Sequence, residues 1–358
     1  MSDKIEEKIR LTSFSRGAGC GCKIAPNVLQ EILKSDLAAP NFPSLLVGNG
    51  TNDDAAVYEM ADGSALISTT DFFAPIVDDA FDYGRIAAAN AISDVYAMGG
   101  NPLVAVAMLG WPIEKLPAAL AQQVLEGARA TCARANIPLA GGHSIDSVEP
   151  FFGLAVNGIV AKQNLKQNNS AREGDVLFIT KSIGVGILST AQKRDLIREE
   201  HAALMIEQMS TLNTIGALLG KEKSVTAMTD VTGFGLMGHL IEMAEGAGLS
   251  AELFYDKVPI VAGAKEYMAQ RIVPDATYRN WNSYSKKVDF AKDVNVMEAF
   301  TLLPDPQTNG GLLFSVSTDG VSEIQALLTA NGLGDFVEPI GVMKTLGEKL
   351  ILVKNAGL

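Results

Sequence analysis

Along this chain, apolar runs are punctuated by polar turns at spacings that predict a mixture of strands and helices. Ala55–Tyr58 and Ala65–Thr70, parted by the turn residues Asp62-Gly63, read as two short strands. A helical segment over Tyr83–Met98 stops at Gly99-Gly100. Pro102–Leu109 predicts a strand, Pro117–Ala135 a helix and Phe151–Val160 a further strand. Polar, unperiodic Lys162–Ser170 reads as a domain connection. Beyond it, Asp175–Thr180 predicts a buried strand. Helices are expected over 184–195, 200–219, 234–247 and 259–270, and strands over 225–229, 250–255, 312–317, 336–343 and 349–353. Residues 274–300 hold few regular cues. Neighbouring strands in both halves predict an α+β fold rather than a doubly wound parallel sheet. No short fixed repeat suggests a solenoid.

At 358 residues the chain exceeds the size at which single cores divide, so two domains are expected. The expected division is a flexible arm over 1–50, a first domain over 51–162 and a second over 170–358. The arm carries one helix-like run, Asn27–Leu33. Hydrophobic content of 47% and a mean hydropathy of +0.17 support compact folding. No apolar stretch reaches 18 residues and the first residues lack a signal-peptide core, so the expectation is a soluble, cytoplasmic protein with no membrane partner. Three cysteines argue against a disulfide framework. A net charge of -12 argues against nucleic acid as a partner, because that affinity comes from clustered Lys and Arg.

The segment Gly17-Ala-Gly-Cys20-Gly-Cys22-Lys23 sets two of the three cysteines and a lysine among closely spaced glycines. Glycine contributes no side chain to a core and loses the most entropy on ordering, so such a segment suits movement. A nearby ammonium favours thiolate, the nucleophilic form. A reactive thiol is the preferred reading, with half of a zinc site or a merely exposed thiol pair as alternatives. The scattered Cys132, His143, His201 and His239 supply no second ligand pair at zinc spacing.

Acidic residues recur at strand ends. Asp53-Asp54 leads into a strand, Asp71 closes the next, and Asp230 ends a third. Asn90 and Asp94, four apart, share a helix face among alanines. Clustered carboxylates repel, and a divalent metal compensates that repulsion; magnesium binds through a few carboxylates plus substrate phosphates. Taken singly, each acid is more readily a cap, turn or solvated surface residue; taken jointly with the glycine-rich turns beside them, the acids favour metal and nucleotide binding. Two loops, Ala140–Ser144 and Asp305–Gly311, combine small backbone with hydroxyl or amide donors and could wrap a phosphate or be ordinary turns. No Walker-type loop occurs. Gly233-Phe-Gly235-Leu-Met-Gly238 matches a dinucleotide fingerprint, with Asp256 near the ribose-acid position, but its glycines can equally serve close helix packing.

Seven segments, in order and over nearly the whole chain, together resemble the selenophosphate synthetase (selenide, water dikinase) family. They are Gly17–Lys23, Asp53–Tyr58, Thr69–Phe73, Asn90–Gly100, Ala140–Asp146, Thr229–His239 and Asp305–Gly311. Several recur in looser form in aminoimidazole ribonucleotide synthetase and its ATP-using relatives; the Cys-Gly-Cys-Lys arm separates the family from them. The resemblance implies a two-domain aminoimidazole ribonucleotide synthetase-like fold and a homodimer whose N-terminal sheets pair into a barrel. It implies the reaction of ATP, selenide and water to selenophosphate, AMP and phosphate. By matching positions, Cys20 is the implied essential thiol and Lys23 the implied essential cation, with Asp54, Asp94 and Asp230 holding Mg2+ and Asp71 close by. Thr51, Asn52, Asp53, Gly142, His143 and Ser144 are the implied nucleotide contacts, the last three from the partner subunit. Potassium is implied as a further ion. Two departures stand out: the family's catalytic position can be selenocysteine and here is Cys20, and the late loop reads Thr308-Asn309-Gly310 where Thr-Ser-Gly is expected. The alternatives are an aminoimidazole-synthetase-like or thiamine-phosphate-kinase-like enzyme, or a non-catalytic selenium or metal carrier.

Overall fold

The structure is a computed structural model that describes residues 9–15, 17, 19–24, 26–34, 42–48 and 53–357. Within the arm lie short 3-10 turns at Leu11–Phe14 and Gly19–Cys22 and the helix α1 (Pro26–Ile32). The first sheet contains β1 (Leu45–Val47), β2 (Ala56–Glu59), β3 (Ser64–Phe73), β4 (Asn101–Trp111), β5 (Leu139–Asp146) and β6 (Phe151–Ala161). Their spatial order is β1-β2-β3-β6-β4-β5. Helix α2 (Ala80–Ala97) follows β3, and α3 (Ala118–Arg134) joins β4 to β5. Those two strands are parallel and need a crossover; the other pairs are antiparallel.

The second domain runs β7 (Val176–Ile179), α4 (Val185–Lys193), α5 (Glu199–Ser210), α6 (Gly216–Leu219), β8 (Val225–Asp230), α7 (Gly235–Ala247) and β9 (Ser250–Phe254). It continues through α8 (Ala264–Ala269), α9 (Asp275–Tyr284), β10 (Val288–Phe290), α10 (Val296–Leu302), β11 (Leu312–Val316), α11 (Val321–Ala330), β12 (Gly341–Lys344) and β13 (Ile351–Lys354). Its sheet order is β10-β13-β9-β12-β7-β11-β8, with β13 parallel to both its neighbours. The architecture is α+β in both halves, as the strand pattern predicts.

Helix α2 is the hub. Asp79 caps it, accepting from the Asp82 N–H at 2.9 Å, and the chain leaves it at Gly99 with φ +76. Fifteen of its residues are buried, so it is a core helix enclosed on all sides rather than an amphipathic surface helix. It packs on β3, β6 and α3 of its own domain and on α5 and β8 of the other. The crowding explains its alanines. At its crossing with α3, a Cβ on Gly84 would lie 1.9 Å from the Val124 carbonyl oxygen, and one on Gly127 1.9 Å from that of Phe81.

Several expectations differ from the fold. Residues 140–144, read as a phosphate-wrapping loop, lie inside strand β5. The helix expected over 200–219 is two, α5 and α6, with a break where the Asn213 amide donates to Ser93 Oγ and the Gly310 carbonyl. Residues 259–270 are α-helical only over Ala264–Ala269, and the strand expected from 336 begins at Gly341. The stretch 274–300 holds two helices and a strand. The Gly233–Gly238 fingerprint is not a dinucleotide unit: β8 and β9, which flank α7, are separated by three strands. A Cβ on Gly235 would meet the Leu303 carbonyl oxygen at 2.8 Å, so close packing accounts for that glycine. Asp256 accepts instead from the Ala356 N–H.

Candidate active site

Four aspartates converge where the domains meet. Asp54 precedes β2, Asp71 lies near the end of β3, Asp94 sits in the last turn of α2, and Asp230 is the last residue of β8. Neighbouring polar groups orient them. Thr69 Oγ1 donates to Asp94 Oδ2 and Asn90 Nδ2 to Asp71 Oδ2. Thr229 Oγ1 donates to Asp54 Oδ1 at 2.9 Å, and Ser93 bonds Asp230. Among the described residues, Asp54 Oδ2 and Asp230 Oδ2 are buried with no hydrogen-bond partner.

Burial pushes the carboxyls of Asp54 and Asp94 well above the ordinary aspartate range, and repulsion from Asp230 adds to it. Burial also raises Asp230, against the pull of Ser93 and of the Lys23 and Lys181 ammoniums. Orphaned carboxylate oxygens in a site with excess negative charge fit a hard divalent cation. Among the described residues, no three or more His, Cys, Asp or Glu side chains are arranged to hold an ion unaided.

These acids line a cavity of about 520 Å³ that also receives Lys23 and Glu242. Lys23 Nζ donates to Thr232 Oγ1 at 3.4 Å. The Thr232 N–H donates to His239 Nε2 at 3.1 Å, which leaves the ring proton on Nδ1, 3.4 Å from Glu242 Oε2. Burial, aided by the Lys23 charge, pushes His239 down to about 3, so the imidazole is neutral. Burial pushes Glu242 up to about 7, with Lys23 opposing. Asp53 accepts from the Asn168 N–H at 2.8 Å, which ties it to the interdomain connection.

The structure therefore brings together Lys23, Asp53, Asp54, Asp71, Asp94 and Asp230. Cys20 lies in the 3-10 turn Gly19–Cys22, three residues before Lys23. The described parts of the arm are bonded to both domains. The Thr12 N–H donates to Asp78 Oδ1 and the Gly19 N–H to the Ala74 carbonyl. Lys193 Nζ donates to the Ser15 and Gly17 carbonyls, and Arg279 to that of Gly21. Thr51 and Asn52 lie outside the described residues. Gly142, His143 and Ser144 do not join the aspartates. They are exposed on β5, the opposite edge of the sheet, and line a separate cavity of about 270 Å³. Four strand spacings separate β5 from β2, about 19 Å.

The loop 305–311 is buried. Asn309, at φ +49, donates its side-chain amide to the Met209 and Thr211 carbonyls and its N–H to Asn90 Oδ1. Asparagine tolerates this left-handed conformation, which accounts for its presence where serine was expected. His239, Glu242, Thr69, Thr229 and Thr232 gained no role from sequence. The available signals were the place of Thr69, Thr229, Thr232 and His239 in the segments that carry the resemblance and the i,i+3 spacing of His239 and Glu242.

Comparison with known proteins identifies the fold and the family. Residues 52–160 match the family "AIR synthase related protein, N-terminal domain" and residues 172–353 the corresponding C-terminal domain. A selenide, water dikinase of Shewanella sp. (strain W3-18-1) is 54% identical over 334 residues, covering 92% of this chain and 94% of that protein. One from Cronobacter sakazakii is 52% identical, covering 95% and 96%. Among solved structures, thiamine monophosphate kinase from Aquifex aeolicus shares the fold at a TM-score of 0.63 and 18% identity, covering 93% and 96%. The hydrogenase maturation protein HypE in complex with ATP does so at 0.65 and 18%, covering 88% of each chain. The fold is thus the two-domain AIR synthase related one, and the chain belongs to the selenide, water dikinase family.

Proposed function

We infer that the chain makes selenophosphate from selenide, with ATP and water as co-substrates and AMP and phosphate as co-products. Family membership supports the overall reaction. The observation that carries the site assignment is that Lys23 and the four interdomain aspartates line one cavity.

Asp54, Asp94 and Asp230 would hold magnesium, which when bound supplies the positive charge that neutralises the triphosphate. Asn90 and Thr69 fix the carboxylates of Asp71 and Asp94, so their geometry is set before substrate arrives. Lys23 is placed to stabilise charge developing on the phosphoryl oxygens. Hydroselenide is already a strong nucleophile and needs no powerful base. The chain's harder task is excluding water from the first transfer and admitting it to cleave the remaining diphosphate. An arm carrying Cys20 and Lys23 over the cavity serves that end. Cys20 receives or guides the selenium.

We further read the working unit as a homodimer. Tyr58, Phe72, Leu103, Val106 and Ile145 are exposed apolar residues of the first sheet, which supports its pairing with a second copy. Such pairing would bring the partner subunit's β5 strand, at the positions of Gly142, His143 and Ser144, to a nucleotide seated beside Asp53, Thr51 and Asn52. Among the described residues no helix is long and apolar enough to cross a membrane. Selenide is readily oxidised, so a reducing cytoplasmic setting suits the chemistry. Potassium remains a proposed activator, tested by exchange for sodium at constant ionic strength.

Phosphorus NMR of the protein with ATP, magnesium and selenide tests the reaction. Selenophosphate, AMP and phosphate appearing only with selenide is the expected result. ADP without selenophosphate would favour a kinase of the related type, and unaltered ATP a carrier.

A further inference from the structure

We propose that hydroselenide reaches the Cys20 segment through a second cavity, walled by the same arm but separate from the carboxylate cavity. The proposal rests on the selenophosphate reading above. This second cavity has a volume of about 350 Å³ and lies between the arm, at Gly17 and Gly21, and the second domain. No described residue lines both cavities. Gly17 and Gly21 bracket Cys20 on one, while Lys23 and Ile24 reach the other, so the few residues around Cys20 form a partition between two spaces of opposite character.

Charge decides which space suits the nucleophile. Hydroselenide is a monoanion at neutral pH. The carboxylate cavity presents Asp53, Asp54, Asp71, Asp94, Asp230 and Glu242 against Lys23. It must also take the triphosphate. The second cavity presents Lys193, Arg194 and Arg279 against Asp275. Like charges repel, so entry of an anion past a bound triphosphate and the acidic lining around it is disfavoured. The cations are also tied to the arm on both sides of the cysteine. Lys193 Nζ donates to the Ser15 and Gly17 carbonyls at 3.0 and 3.2 Å, and Arg279 to that of Gly21 at 2.8 Å. Arg194, exposed beside them, is the cation best placed to draw an anion from solvent. With nucleotide and selenide entering from different spaces, neither blocks the other.

Two measurements on Arg194→Glu and Arg194→Lys in the full-length protein test this. In steady state at low salt, Arg194→Glu should lower kcat/KM for selenide at least fivefold with little change in the KM for ATP, and Arg194→Lys should restore it. Without selenide, mass spectrometry should follow alkylation of Cys20 in a Cys22→Ser background. The ratio of the iodoacetate to the iodoacetamide rate should fall at least threefold in Arg194→Glu, since only the first reagent is anionic. That ratio should persist with ATP and magnesium bound. Unchanged selenide dependence and an unchanged alkylation ratio in Arg194→Glu would overturn the port, as would loss of iodoacetate access on filling the carboxylate cavity with nucleotide. Absence of selenide-dependent AMP formation by the unmodified protein would instead overturn the underlying reading, and the alkylation ratio would still judge the port.

Discussion

Thr229 Oγ1 donates to Asp54 Oδ1 at 2.9 Å, joining the end of β8 in the second domain to the entry of β2 in the first. The other oxygen of Asp54 is buried without a partner among the described residues, and Asp230 and Asp94 repel it. A group so placed costs stability in the absence of a cation. Asp54→Asn should therefore raise the melting temperature of the ligand-free protein while weakening magnesium-dependent ATP binding at least tenfold, about 1.4 kcal/mol. Calorimetry of melting and of ATP binding checks both directions, and an unchanged affinity would remove Asp54 from the proposed metal site.

Cys20 stands three residues before Lys23, on an arm that reaches the aspartate cavity. In the proposed site, nucleotide binding draws on the aspartates and Lys23, not on the thiol. Cys20→Ser should abolish selenide-dependent AMP formation yet leave the ATP dissociation constant within about twofold, a change under roughly 0.5 kcal/mol. Product assay and equilibrium binding separate the two. Normal selenophosphate yield by the variant would refute the role.

What the sequence made legible follows from how local each signal is. Helix α2 was visible because its apolar run ends at a glycine pair; its first turn was missed because Asp79, a surface cap, looks like any loop acid. Strand β5 was hidden. Gly141 and Gly142 imitate a loop, and only parallel pairing with β4, whose partner residues lie 34 to 35 positions earlier, makes the segment a strand. Asp53, Asp54, Asp71 and Asp230 announced themselves at strand ends and Asp94 on a helix face. Their convergence depends on the docking of α2 against β8, which no spacing encodes. His239 and Glu242 stayed silent because they sit on α7 in a pattern that core packing also explains.

The α2–α3 crossing rests on glycine. A Cβ at position 84 would lie 1.9 Å from the backbone oxygen of Val124, and backbone cannot yield as a flexible side chain does. Alanine gains up to about 1 kcal/mol in helix propensity. The forced separation of the helices should outweigh this, for a net loss of about 3 kcal/mol or more. Gly84→Ala and Gly127→Ala should each lower the melting temperature by roughly 6–12 °C. An unchanged melting temperature would mean that the helices do not meet this closely.

The buried pair of Thr232 and His239 predicts one acid-sensitive contribution to stability. His239 is held neutral down to about 3 and accepts from the Thr232 N–H, whereas an unfolded histidine titrates near 6.5. Between those values the unfolded chain binds the extra proton, so stability falls as pH drops below 6.5. At pH 5 the loss from this one group is about 2 kcal/mol. Glu242, raised to about 7, works in the opposite sense between 4.5 and 7, because there the folded state holds the extra proton. The two effects overlap, and wild-type protein alone does not reveal either. His239→Gln keeps an acceptor for Thr232 but cannot titrate. Urea unfolding at pH 7.5 and pH 5 should therefore show the stability of wild type relative to His239→Gln falling by about 2 kcal/mol on acidification, with Glu242 common to both proteins. Parallel behaviour of the two proteins would mean that His239 takes up its proton in the folded state, and the neutral ring beside Lys23 would have to be abandoned.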